Sequence, residues 1–207
     1  MTTELTVATW NVMWATRSSA RGRRVRNILR EVDADLLIVT EGQRDLLPKG
    51  GHIVDAGSDW GGYDITKSPE RRKTMLWSRK PLTDVTTVPS GAGAGRALVA
   101  HTDTPLGQVR VLAVCIPPWA SAHVSTGRRD ASNWSEHLEC CDHIEVLTAG
   151  FDPRIPTIVA GDFNQRLPRV RQPIRVHERL LEVLDRWTYI PQATSGTGRS
   201  SITSPPT

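Results

Sequence analysis

Cysteine is scarce in this chain: three residues, two of them adjacent at Cys140 and Cys141, cannot make a disulfide framework. Phenylalanine and tyrosine are scarcer still, at two each, so seven tryptophans carry most of the aromatic content. No apolar run approaches the roughly 20 residues that span a bilayer. The opening Met1-Thr2-Thr3-Glu4 lacks a basic region followed by an apolar run, so no secretory leader is expected. Internal repeats are missing, and no linker suggests a second domain. These absences lead to the expectation of a cytoplasmic protein with reduced thiols and no membrane partner. One domain is expected over residues 1–192, followed by a polar, Gly/Ser/Pro-rich tail over 193–207, expected to be disordered.

What is present suits an ordinary globular protein. The 207 residues are 38% hydrophobic and 23% charged, enough for one buried core. The net charge of +4 comes from arginine, clustered at Arg21–Arg26, Arg71–Arg72, Arg128–Arg129 and Arg166–Arg175. Planar guanidinium groups match phosphate oxygens in bidentate fashion, so a polyanionic partner is one reading of these clusters. A solvated, arginine-rich surface is the other.

Residues 5–10 alternate toward an apolar strand that stops at Asn11. Apolar residues at Val25, Ile28, Leu29 and Val32 predict a helix over 21–32 with an arginine face. Leu36-Leu37-Ile38-Val39 reads as a strand buried on both faces, ending at Thr40-Glu41. Further strands are expected over 73–78, 85–88, 96–102, 108–116 and 155–160. Helices are expected over 134–149, capped by Asn133, and over 174–187. Because strands are consecutive in the middle of the chain, this order fits a layered α/β (α+β) sandwich better than a regularly alternating parallel sheet.

Three of the strands finish in polar groups: Thr9-Trp10-Asn11, Thr40-Glu41 and Gly161-Asp162-Phe163-Asn164. Each sets a carboxylate or an amide at the edge of a buried sheet, where α/β sheets build sites. A hard divalent cation takes oxygen ligands, commonly one or two carboxylates completed by water and substrate phosphate. Glu41 and Asp162 supply carboxylates; Asn11 and Asn164 supply amides that orient a ligand or water.

With Met75-Leu76-Trp77-Ser78-Arg79-Lys80-Pro81 between them, these segments resemble the endonuclease/exonuclease/phosphatase superfamily, to which DNase I-like nucleases belong. The resemblance implies a four-layer sandwich, two packed mixed β-sheets flanked by helices, and Mg²⁺-dependent hydrolysis of phosphate esters, with Mn²⁺ as an alternative ion. It further implies Glu41 as the principal metal ligand assisted by Asn11. Asp162 would orient or deprotonate the attacking water, and Asn164 would hold that water or a phosphate oxygen. Arg166 and Arg169 would bind substrate phosphates.

Two departures stand out. The strand Val111–Cys115 aligns with one that commonly ends in a phosphate-contacting His or Tyr, so Cys115 takes a substrate-binding position; a small buried residue is the plainer reading. The superfamily also closes on a strand with an Asp-His pair, whereas here Ser201-Ile202 runs into Thr203-Ser204-Pro205-Pro206. Two prolines cannot donate to a sheet, so the last strand and its histidine are expected to be missing. His137 and Cys141 share helical spacing with Cys140 and His143 nearby, which is zinc-compatible spacing without a complete ligand set. Packed cysteines and surface histidines are the other reading. The sequence thus points to a metal-dependent phosphoesterase, with DNA or RNA favoured by the positive charge. A non-catalytic phosphate- or nucleic-acid-binding descendant, or a truncated fragment, is the alternative. Trp119 and Trp134 are available for base stacking at the rim, beside Gly127-Arg128-Arg129-Asp130, with ordinary packing as the plainer reading of both.

Overall fold

The computed structural model describes residues 4–60, 66, 68–124, 131–188 and 201–202. Nine strands and four helices follow one another among them. Strand β1 (Leu5–Asn11) leads to α1 (Ala20–Glu31), β2 (Leu36–Gln43), β3 (His52–Asp55), β4 (Arg71–Ser78) and β5 (Leu82–Thr87). Then come β6 (Ala97–Thr104), β7 (Gly107–Cys115), α2 (Ser121–Val124), α3 (Ser135–Thr148), β8 (Thr157–Asp162), α4 (Ile174–Leu184) and β9 (Ser201–Ile202). No helix among the described residues is long and apolar enough to cross a membrane.

The strands form two mixed sheets, ordered β3-β4-β2-β1-β9 and β5-β6-β7-β8. In the first, β1 and β2 are parallel and the other neighbours antiparallel; in the second, only β7 and β8 are parallel. Both sheets are covered on both faces, and strand alternation sorts the side chains between layers. Leu36, Ile38 and Leu76 point inward against Leu98, Ala100, Val111 and Ala113, filling the space between the sheets. Their sequence neighbours Leu37, Val39, Met75 and Trp77 point outward onto Val25 and Leu29 of α1. On the far side, Ala97, Val99, Leu112 and Val114 meet Cys140, Cys141 and Ile144 of α3 and Leu180 and Val183 of α4. The order helix, sheet, sheet, helix is the expected four-layer sandwich.

Local chemistry explains the helix ends. Helix α1 starts where the Ser19 hydroxyl accepts the Gly22 N–H at 3.0 Å, relieving one of the first-turn donors. At α3 the expected Asn133 cap is not used: Trp134 stands in the left-handed region at φ 70°, with no side-chain cap. Arg179 ties α4 to α3 through Asp142 at 2.7 Å and Glu145 at 2.5 Å, and this pairing holds the Glu145 carboxyl below its usual range.

The last strand requires a correction. Ser201–Ile202 pair antiparallel with Thr6 and Leu5 on the outer edge of β1, so a short closing strand is present. The rest of the tail from residue 193 lies outside the described residues.

Candidate active site

The carboxyl-terminal ends of β1, β2 and β8 meet at one edge of the sandwich, and the site straddles the two sheets. Asn11, from the first sheet, donates its amide Nδ2 to Asp162 Oδ2 of the second at 2.7 Å. Its own Oδ1 accepts the Met13 N–H at 2.9 Å, which fixes the direction of the amide. Asp162 is also held from its carboxyl side, where Oδ1 accepts the Asn164 N–H at 3.0 Å. This Asx turn sets Asn164 at φ 50°, a conformation that asparagine tolerates. From there Asn164 Nδ2 donates to Ile116 O at 2.8 Å, leaving its second N–H for a phosphate oxygen or a water. Three of the expected residues, Asn11, Asp162 and Asn164, are thus joined in one hydrogen-bonded chain.

Glu41 is positioned differently from the expectation. Strand β2 does not stop there but continues to Gln43, with Glu41 at φ 53° in mid-strand. Between the register pairs Thr40↔Thr74 and Gly42↔Arg72 it stands opposite Lys73. Lys73 Nζ donates to Glu41 Oε1 at 2.8 Å, while no hydrogen bond occupies Oε2 among the described residues. The Trp14 N–H donates to the Glu41 carbonyl at 2.6 Å and ties the loop after β1 to β2.

No group of three or more His, Cys, Asp or Glu side chains able to hold a metal gathers among the described residues. The oxygens offered by Glu41 Oε2 and the Asn11 amide nevertheless fit a hydrated hard cation, which takes few protein ligands. A soft, closed zinc site does not fit. Cys140 and Cys141 are buried, and His137 is buried rather than on the surface as one reading of the sequence had it. Its Nδ1 faces Pro117 O and its Nε2 faces the Gln165 amide, each at 2.8 Å. Burial lowers the pKa of this imidazole, so the neutral form donates to Pro117 O and accepts from Gln165.

Cys115 lies next to Asp162 in register but is 1% exposed, and desolvation pushes its thiol up to about 12. A thiol so placed packs the floor of the site; it presents nothing to a substrate and is no nucleophile. Arg166 and Arg169 are exposed just beyond the turn, and Arg169 donates to Gln172 O at 3.1 Å. Trp119 is exposed, whereas Trp134 is packed edge-on to His137. Residues 127–130 of the expected rim lie outside the described residues. Sequence reasoning missed Lys73, hidden at the end of the Arg71-Arg72-Lys73 run. It also missed Arg96, 1% exposed, whose Nε and Nη1 lack hydrogen-bond partners among the described residues.

Comparison with curated protein sequences finds no match. Among solved structures, an AP endonuclease from Archaeoglobus fulgidus superposes with TM-score 0.63 at 19% identity, covering 87% of this chain and 70% of that one. Beta toxin from Staphylococcus aureus, solved with bound magnesium ions, gives 0.60 at 13% identity over 88% and 70%. A 3′ phosphatase from Neisseria, bound to product DNA hairpin, gives 0.54 at 17% identity over 86% and 71%. At these identities the likeness is one of fold. The profile of the Endonuclease/Exonuclease/phosphatase family matches residues 8–202, nearly the whole chain, so the protein with this Asn-Glu-Asp-Asn edge belongs to that family.

Proposed function

We propose that the chain is a divalent-metal-dependent phosphoesterase that hydrolyses phosphodiester bonds, with nucleic acid as the substrate class. The observation that carries this reading is the Asn11–Asp162–Asn164 chain across the two sheets, beside the open oxygen of Glu41. Asp162 has both oxygens oriented by N–H donors, and each keeps a lone pair for the proton of an attacking water. As the water oxygen bonds to phosphorus and the ester oxygen departs, that proton passes to Asp162. The leaving oxygen takes its proton from solvent. Asn164 steadies a phosphoryl oxygen with its remaining N–H, and Glu41 with Asn11 would hold the cation. Mg²⁺ or Mn²⁺, when bound, supplies charge stabilisation for the phosphoryl oxygens. The net positive charge of +4 favours a polyanion, and the 3′ phosphatase bound to a product DNA hairpin shares the fold.

A second reading, phosphate or nucleic-acid binding without turnover, draws on one observation. Among the described residues no histidine hydrogen-bonds to Asn11, Glu41, Asp162 or Asn164, and Cys115 fills a position where a histidine or tyrosine is common in the superfamily. One assay separates the two: cleavage of plasmid DNA and of a generic phosphodiester with Mg²⁺ and with chelator. Turnover that requires the ion and drops about 100-fold or more in Glu41→Ala and Asp162→Asn supports the enzyme. DNA binding with turnover no greater than that of the two variants supports the other.

A further inference from the structure

Lys73 is 5% exposed, which is rare for a lysine. Its ammonium lies 2.8 Å from Glu41 Oε1, 4.8 Å from the ring centre of Trp14 and 5.4 Å from that of Trp60. The two indoles stack on each other at 5.1 Å, so the charge is roofed by a pair of aromatic faces. Thr74 and Arg72, on either side of it, are in register with β2, which leaves the backbone little freedom to carry the side chain elsewhere. The carboxylate expected to take the cation therefore already has a fixed positive charge on one of its oxygens.

We propose that Lys73 is a resident cation that holds down the affinity of Glu41 for a divalent ion, so that the ion is retained only together with a phosphate group. The proposal rests on the reading of Glu41 as the metal ligand. An ammonium on Oε1 and a divalent ion on Oε2 share one carboxylate, and their repulsion in this partly buried place is poorly screened. Lys73 cannot relieve it by swinging away without giving up its only ion pair among the described residues and both aromatic faces. A phosphate oxygen arriving at the site restores the balance of charge. Ion and phosphate must then strengthen each other's binding by the same factor. Lys73 is a positioning residue in this scheme; it contacts the ligand to the metal and not the reacting atoms.

The test is Mn²⁺ binding by calorimetry and electron paramagnetic resonance, on the full chain with and without inorganic phosphate. Lys73→Met should bind Mn²⁺ at least about tenfold more tightly than the wild type and gain less from phosphate. Lys73→Arg, which keeps the charge, should bind as weakly as the wild type. Glu41→Gln should lose binding with or without Lys73. Should Lys73→Met fail to fold, Lys73→Gln provides the same comparison without the charge. Wild-type binding left unchanged or weakened in a cooperatively melting Lys73→Met overturns the resident cation alone. Absence of Mn²⁺ binding in every variant, at millimolar ion, overturns both this proposal and Glu41 as the metal ligand.

Discussion

At Gly161 the backbone stands at φ 142°, and a Cβ there would lie 1.9 Å from the carbonyl oxygen of Val114. The neighbour is backbone, which cannot turn aside as a flexible side chain can. This residue is therefore glycine because β8 must lie close against β7 just where Asp162 follows. Gly161→Ala should cost on the order of 3 kcal/mol of stability, from strain at a special φ and a forced strand shift. The loss should appear as a lower urea midpoint, and the residual folded protein should have weaker hydrolysis because Asp162 moves with the strand. An unchanged midpoint would mean that β7 and β8 part easily, contrary to the tight register from Arg110↔Thr157 to Cys115↔Asp162. The Gly-Asp-Phe-Asn turn was legible as a site because its polar groups follow an apolar run. The clash that demands glycine was not, because the atom it meets belongs to a strand 47 residues earlier.

Between elements, His137 is the pin that joins α3 to the loop after β7 and to the turn after β8. It accepts from Gln165, the residue after Asn164, and Gln165 also donates to Val176 O on α4. Burial lowers the pKa of His137 in the folded state, below the ordinary value of about 6.5 that applies when unfolded. Below that value the unfolded chain takes up a proton that the folded chain refuses, so stability is fully present above about pH 6.5 and falls with pH until the folded group also protonates. His137→Phe removes this term and also leaves Pro117 O without its donor, at about 1 to 3 kcal/mol. The variant should be less stable at about pH 7.5, and the gap in urea midpoint should narrow at about pH 5. A gap that stays constant would show that the fold does not lower the pKa of His137. At this scale most strands were legible because residues such as Leu36–Val39 are apolar on both faces, as a doubly covered sheet requires. Helix α3 was less so: it buries Glu136, His137 and Thr148, and His137 finds its partners at Pro117 and Gln165, far away in the chain. Lys73 likewise could not be paired with Glu41 without knowing that β2 and β4 are antiparallel and in which register.

In the molecule as a whole, the two sheets end on β3, β9, β5 and β8, and β9 covers only the start of the outer side of β1. There β9 pairs only at Leu5↔Ile202 and Thr6↔Ser201, and among the described residues no strand covers the edge from Val7 to Asn11. An open edge is a template for pairing with another chain. The positive charge of +4 opposes such contact between copies at low salt, and salt weakens that protection. Asn11 ends this same strand, so whatever holds β1 in register also keeps the Asn11 amide on Asp162. A version ending at Thr188 removes β9 and opens the whole edge. Two lost ladder pairs should lower Tm by about 3 to 6 °C. Light scattering should then show association that grows with protein concentration and with salt. The opposite salt trend would point to arginine-mediated contacts in place of strand pairing. A monodisperse product with unchanged Tm would mean that β9 contributes nothing and that β1 is held by β2 alone, through the parallel register from Val7↔Leu36 to Asn11↔Thr40.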